Sequence, residues 1–565
     1  MQKTSRAFRN LCALSGFLAG CGGISSPDGL PTPSEACAAV AVTQLNAGQH
    51  VILDPAAASG CLRIPAAGAQ GAKYLLVLAS ANGTRSSAGI EGPYLLRSSL
   101  PLEPLSSTTP LAPAPSFTGA LAAQFDATLR RREAELAADP RNRPGPYTAP
   151  ALVAAPPLGD VRNFKTCSNL ACTSFTTVAA TARYIGQHVA VYMDNTVPQN
   201  DPLQDSDLAQ LGAAFDNYHY PIDTTAFGRE SDIDANGVVL MLMTDAVNSL
   251  TPDCTDGRII GYFYGGDLLT GTNSNRAEVF YTLVPAPATA KCTVVTRSLA
   301  VNNLKPTLIH EFQHMISFNQ HVLLRAGSSE EVWLNEAMSH FAEELGGRLV
   351  PNAECIAAGY PSCRSQYTSG DLLDSYDYLK DTETHYLVFP ASSQGTLEER
   401  GAGWLFLRWV LDHYGADVLA TATTRSLVAT SLTGVANLTG VTGGNFSEMV
   451  PRWLMAAYLD DGPDLPSEPT GFLSFSSWGL RAIWTNPANQ VTATPPGPFS
   501  GFPLQALALD GNFSHAGTLK AGSGRHFLIT QAANESAVDL QVLRGSGGGP
   551  LDATLQARFG IVRIR

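Results

Sequence analysis

Five residues in the middle of the chain, His310-Glu311-Phe312-Gln313-His314, have the types and spacing that metal-assisted hydrolysis requires. On a helix, side chains four apart lie on one face, one turn above the other, so both imidazoles can point at one ion. Glu311 then sits about 100° round the helix from His310. It flanks the ion without being forced to ligate it, which is the place for a general base acting on metal-bound water. The flanking residues supply the helix. Leu308, Ile309, Phe312, Met315 and Ile316 form an apolar stripe, and Pro306 is tolerated in a first turn.

A catalytic zinc takes three protein ligands and keeps one position open. A third histidine six residues after the second, with a glycine between, is one known solution. Here those positions hold Gln320 and Ser317, and His321 is one residue out of place. The other solution draws a glutamate from a following helix, and Trp333 to Glu344 offers one ending at Gly346. Glu336, His340 and Glu343 share a face of that helix, so spacing alone does not choose among them. Glu344 falls off that face and reads as a solvated charge.

Asn335-Glu336-Ala337 after a His-Glu-x-x-His helix resembles the gluzincin pattern of thermolysin and the aminopeptidases. The wider pair of strings, His310 to Phe318 and Trp333 to Glu344, is most similar to the hyicolysin-type metallopeptidases. A weaker similarity runs through Gly261-Tyr262-Phe263 and Ala277 to Tyr281. The resemblance implies a thermolysin-like (zincin) α+β core and Zn²⁺ held by His310, His314 and Glu336. It also implies Glu311 activating a zinc-bound water, and a protein or peptide substrate. No Gly-rich stretch of the kind that places a free amine precedes the motif, which favours an endopeptidase.

Two departures stand out. Thermolysin-like enzymes carry an Asp four residues after the ligand Glu, to hold a zinc-bound histidine; that position is His340. His340, Asn335 and Glu343 are the candidates for orienting the ligands, a role that tunes geometry. The tyrosine that stabilises the oxyanion in related aminopeptidases maps to Glu398. Tyr376, Tyr378, His385, Tyr386 and Arg400 remain as possible donors. Two rival readings are a surface binding or adhesion lipoprotein on an inactive peptidase scaffold, and an amidase acting on a non-protein amide.

The elements around the motif follow from periodicity. Strands first and helices later suit an α+β domain over 159–470. In it, Val189 to Met193, Val238 to Met243 and Glu278 to Leu283 read as strands, and residues 306–319, 334–345, 402–413 and 448–459 as helices. Short apolar runs between turns predict a small β-sandwich over 37–105, and a C-terminal β-sandwich over 490–565. The two would flank the core. Residues 106–158 form a Pro-rich linker with one helix, traced by Leu121, Phe125, Leu129 and Leu136. Asp232-Ile233-Asp234-Ala235-Asn236-Gly237 resembles the start of a calcium loop, but Met243 stands where an EF-hand needs a bidentate Glu. A turn into the next strand is the simpler reading, and a structural Ca²⁺ at Asp232, Asp234 and Asn236 the alternative.

Residues 1–20 read as an export signal: Lys3, Arg6 and Arg9 precede a short apolar stretch ending Leu18-Ala19-Gly20-Cys21. The ending looks like a bacterial lipobox, with Cys21 the lipidated residue and 21–36 a tether. Gly22 after it permits delivery to the outer membrane. Export would leave eight cysteines in local pairs, Cys37/Cys61, Cys167/Cys172, Cys254/Cys292 and Cys355/Cys363, as a disulfide framework needs. The net charge of -13 at pH 7 gives no general attraction to nucleic acid or anionic lipid. A membrane would therefore be met only through the N-terminal lipid.

Overall fold

The computed structural model describes residues 30–99, 120–143, 154–197, 201–393, 395–462, 471–485, 499, 501–509 and 514–565. The export signal, Cys21, most of the tether and the Pro-rich stretches at 101–119 and 144–153 lie outside the described residues.

Short alternating runs at the N-terminal end become β1 (His50–Leu53), β2 (Cys61–Ile64), β3 (Ala72–Ser80) and β4 (Glu91–Ser98). The predicted linker helix follows as α1 (Ala120–Ala138). The central sheet is built from β5 (Val161–Cys167), β6 (Phe175–Ile185), β7 (Val189–Asp194), β8 (Val239–Met243), β9 (Gly261–Phe263) and β10 (Val279–Thr282), with α2 (Asp205–Ala214) between β7 and β8. Its order is β5-β6-β7-β8-β10-β9. The β7, β8 and β10 strands run parallel and are apolar along their length because both faces are covered. The edge strand β9 runs antiparallel to β10, pairing Phe263 with Phe280 and Tyr262 with Tyr281.

The main helices of the helical half are α3 (Arg297–Phe318), α4 (Val332–Leu349), α5 (Ser369–Lys380), α6 (Leu397–Tyr414) and α7 (Phe446–Leu459). Thr296 caps α3 by accepting from the Leu299 amide. The helix therefore starts well before Pro306, which lies in its interior and not in its first turn as the sequence predicts. A proline there leaves the carbonyl of Asn302 without its helical donor. Gln366 Nε2 donates to that carbonyl at 2.9 Å, which is why the helix continues. Thr396 and Glu399 form a capping box at the start of α6. Gly401 lets α5 lie against it: a Cβ there would meet the Asp374 backbone at 2.3 Å. Glu344, expected in solvent, is fully buried in α4. It accepts from Arg348 Nε one turn on in the same helix, and from Trp404 and Trp478 Nε1, two donors from distant segments that the local sequence does not reveal.

The chain ends in β11 (Leu507–Leu509), β12 (Ser514–Lys520), β13 (Gly524–Gln531), β14 (Val538–Leu543) and β15 (Ala557–Arg563). These do not form a second sandwich. The sheets are β1-β15-β3-β13-β11 and β12-β4-β14-β2, so N-terminal strands are interleaved with C-terminal ones in both, with β11 added beside β13 at one edge. The inner faces share one core, including Leu76, Leu96, Phe527, Leu540 and Phe559. The two flanking sandwiches expected from the sequence are thus one composite unit. Four short strands alone would leave their apolar faces and edges uncovered, and pairing with the distant segment closes both.

All four cysteine pairs expected from proximity are disulfides: Cys37–Cys61, Cys167–Cys172, Cys254–Cys292 and Cys355–Cys363. Among the described residues, no helix is long and apolar enough to cross a membrane.

Candidate metal centre

The α3 and α4 helices pack against each other and bring His310, His314 and Glu336 together, with one ligand atom from each within 4.8 Å of the others. His310 Nε2 lies 3.6 Å from Glu336 Oε2, and His314 Nε2 lies 3.4 Å from Glu336 Oε1. Each ligand is held from behind. The Nδ1 of His310 meets Glu343 Oε1 at 2.6 Å, which leaves its Nε2 facing the centre. Asn335 and the Ser339 hydroxyl lie against His314. Arg400, from α6, donates from Nη1 to Glu336 Oε2 at 2.5 Å, which leaves Oε1 free to point inward.

The donor set fits a divalent cation. Glu336 Oε1 is buried and has no hydrogen-bond donor, although it lies among imidazole nitrogens. Burial opposes a charge on His310, yet the Glu336 and Glu343 carboxylates hold its pKa well above the ordinary value. Without a metal the cluster therefore draws in a proton, and an ion meets the same demand for positive charge. Burial, with Arg130 nearby, keeps His314 neutral, the form in which a histidine ligates. Two imidazoles and a carboxylate suit zinc.

Glu311 stands beside this set without joining it. Its Oε2 accepts from the Phe263 amide on β9 at 3.0 Å. Burial, then the charge of Asp126, raises its pKa to about 8 in the metal-free chain; the charge of a bound cation would lower it and favour the carboxylate that a general base needs.

His340 lines the same cavity, with Nδ1 3.3 Å from Glu343 Oε1 and 2.7 Å from Asp371 Oδ1, and with His310 and Glu343 it forms a further group that could hold an ion. Burial disfavours its charge, but Asp371 and Glu343 raise its pKa to about 10. Asp371, His340, Glu343 and His310 form one buried chain leading to the centre.

Of the possible oxyanion donors, only Arg400 lines the cavity at the centre. Tyr376 packs on Trp484 and Phe499, Tyr378 stacks on Trp453 with His385 beside it, and the Tyr386 hydroxyl donates to Glu91. At the calcium-like loop, Asn236 Oδ1 accepts from the Val238 amide, Asp232 Oδ1 accepts from Gly237, and Asp234 pairs with Arg162. These bonds form the turn that leads into β8.

Sequence reasoning missed Asp126, Arg130 and Glu133. All three are on α1, the linker helix, and all are buried at the centre's edge. Asp126 Oδ1 lies 3.9 Å from His314 Nε2, and Asp126, Glu311 and His314 form a second group that could hold an ion. The only advance sign was the charge density of a helix placed in a linker.

No protein-family profile matches the chain. It is 31% identical over 229 residues to the neutral metalloprotease ShpI of Staphylococcus hyicus, a match covering 39% of this chain and 49% of the relative. The chain thus spans about half the length of that curated relative. Among solved structures it is similar to a two-domain M1 zinc metallopeptidase variant with bound L-tryptophan, at 14% identity and a TM-score of 0.28, covering 52% of this chain and 51% of that one. An M1 zinc metallopeptidase variant from Deinococcus radiodurans with a bound Tyr-Ser-Ala substrate gives 12% identity and a TM-score of 0.27, covering 49% and 48%. Similarities this distant carry no weight here.

Proposed function

We propose that the chain is a zinc-dependent peptidase that hydrolyses peptide bonds in proteins, with His310, His314 and Glu336 as metal ligands and Glu311 as general base. The observation that carries this reading is the convergence of His310 Nε2, His314 Nε2 and the donor-free Glu336 Oε1, with the Glu311 carboxyl alongside. Similarity to a neutral metalloprotease supports it. When bound, zinc supplies Lewis acidity toward a water and toward the scissile carbonyl.

The chain's own residues do the rest. Glu311, fixed by the Phe263 amide, takes one proton from the attacking water and delivers it to the leaving amine, so water is added across the C–N bond. Arg400 supplies a guanidinium beside the carbonyl that receives the attack. The outer edge of β9, whose Phe263 carbonyl Arg130 takes in this structure, is where an extended peptide would pair in its place, with its scissile bond against α3. Glu311→Gln preserves the donor geometry and removes the base. We expect it to bind one zinc per chain by elemental analysis and to lose about 100- to 10,000-fold in peptide hydrolysis. Full activity in that variant would sink the mechanism.

The site of action we propose is the outer face of a bacterial cell envelope, with Cys21 as the lipid anchor. The motif ending Leu18-Ala19-Gly20-Cys21 supports this. Radiolabelled fatty acid should enter the wild-type chain and not Cys21→Ser.

A further inference from the structure

The cleft that the proposed peptidase would offer to a substrate is already filled by α1. This helix does more than pack nearby, because its side chains and backbone take up the groups a peptide would need. Arg130 Nη2 donates to the Phe263 carbonyl of β9 at 2.5 Å, and Glu133 Oε2 accepts from the Gly265 amide at 2.8 Å. The Ala123 carbonyl accepts from Arg400 Nη2 at 2.7 Å, where the attacked carbonyl of a substrate belongs. What remains beside the centre is a cavity of about 210 Å³ lined by α1 on one side, below the ~300–1,000 Å³ of working ligand clefts.

Asp126 is the decisive residue. It is 7% exposed and makes three ionic approaches: Arg130 Nε at 3.4 Å, Arg400 Nη2 at 3.4 Å and His314 Nε2 at 3.9 Å. Its Oδ1, the oxygen nearest Arg130 Nε and His314 Nε2, nevertheless accepts no hydrogen bond, and it approaches the same His314 Nε2 that the donor-free Glu336 Oε1 meets at 3.4 Å. Two buried carboxylates turned toward one point repel each other unless a cation or a shared proton lies between them, and an ion that already meets His314 relieves both at once. A helix held only for packing would turn its acid to solvent or to a full hydrogen-bond set.

We propose that α1 is a latency segment of this chain, and that Asp126 is a fourth protein ligand to the metal, closing the position a catalytic site must keep open. The proposal rests on the zinc peptidase reading of the centre. Structural sites are closed by four protein ligands and catalytic ones keep a place for water. The chain is then inactive while α1 is docked, and becomes active when α1 leaves β9 and Asp126 leaves the metal.

The test uses the full chain and hydrogen exchange of the α1 amides, measured with and without one equivalent of zinc. Zinc is expected to slow exchange across α1 at least tenfold in the wild type and to have no such effect in Asp126→Ala. That variant is also expected to gain at least tenfold in kcat/KM on an unstructured peptide. A helix held for structural reasons alone would be equally protected in either metal state. Zinc bound at one equivalent, with α1 exchange unchanged in the wild type and no gain in the variant, overturns the latency proposal and leaves the peptidase reading intact. Failure to bind zinc at all overturns both. The wild-type exchange comparison decides the question even if Asp126→Ala does not fold.

Discussion

His310 presents Nε2 to the centre because Glu343 holds Nδ1 at 2.6 Å, a charge-assisted bond that fixes both tautomer and ring angle. Replacing that carboxylate by an amide keeps the shape and removes the charge. Glu343→Gln should therefore weaken zinc binding about 10- to 100-fold, read by competition with a chromophoric chelator, while the thermal midpoint of the metal-free chain stays close to wild type. Unchanged zinc affinity would mean that Glu343 does not orient the ligand. His310, His314 and Glu311 were legible because their chemistry is encoded in local spacing along one helix, whereas on the next helix spacing left Glu336, His340 and Glu343 open and only the family resemblance singled out Glu336. Glu343 shared a helical face with Glu336, so its position was legible too. Asp126, Asp371 and the anchoring role of Arg400 were not, because each reaches the centre from another part of the chain. Nothing in a helical pattern says which buried acid will meet which base across a fold.

The metal helix α3 carries a proline in its interior, and the interruption is repaired from outside. Pro306 has no N–H to give the Asn302 carbonyl, and Gln366 Nε2 gives it one. Gln366 is 3% exposed, so removing it leaves a carbonyl that water does not readily reach. Gln366→Ala should cost about 1–3 kcal/mol by urea unfolding. In a Pro306→Ala background the helix makes its own bond to Asn302, and the same change should cost clearly less. Equal costs in both backgrounds would break the link between the two residues. The existence of this helix was legible from its apolar stripe, and its start was not. A proline is normally a first-turn signal, and the compensating glutamine lies sixty residues downstream. The helix α1 was legible as a helix from Phe125, Leu129 and Leu136, whereas its destination was not, since a linker composition gives no hint that its charged face will be buried.

Across the whole molecule the two chain ends are one structure. β3 lies between β15 and β13, and β4 between β12 and β14. A chain stopped after residue 499 would leave both N-terminal strands unpaired on each side and uncover their half of the core. We expect that truncation to be insoluble or to lose protection at β3 and β4 in hydrogen exchange; a soluble product with both strands still protected would contradict the composite sandwich. Alternation along each strand revealed that strands were there, but strand order depends on pairings between segments hundreds of residues apart, which no local pattern contains. The sandwich is also tied to the helical half through His526 on β13, fully buried, with Nε2 donating to the Leu454 carbonyl of α7 at 2.9 Å. Burial lowers its pKa from 6.5 to about 4. The unfolded chain therefore takes up a proton as pH falls below 6.5 while the folded chain does not, until about pH 4. This group's contribution is intact above pH 6.5 and is lost progressively between pH 6.5 and 4. At about 1.4 kcal/mol per unit, and allowing for the folded chain beginning to titrate near pH 4, the loss by pH 4.5 is about 2.5 kcal/mol. His526→Gln keeps a donor for Leu454 and cannot titrate. Buried His219 and His321 shift in the same direction, and buried Asp267 and Glu278 in the opposite one. All four remain in the variant, so the difference between the two proteins isolates His526. Denaturant unfolding at pH 7 and pH 4.5 should show the wild type losing about 2.5 kcal/mol more than the variant over that interval, and parallel losses would place the proton uptake elsewhere.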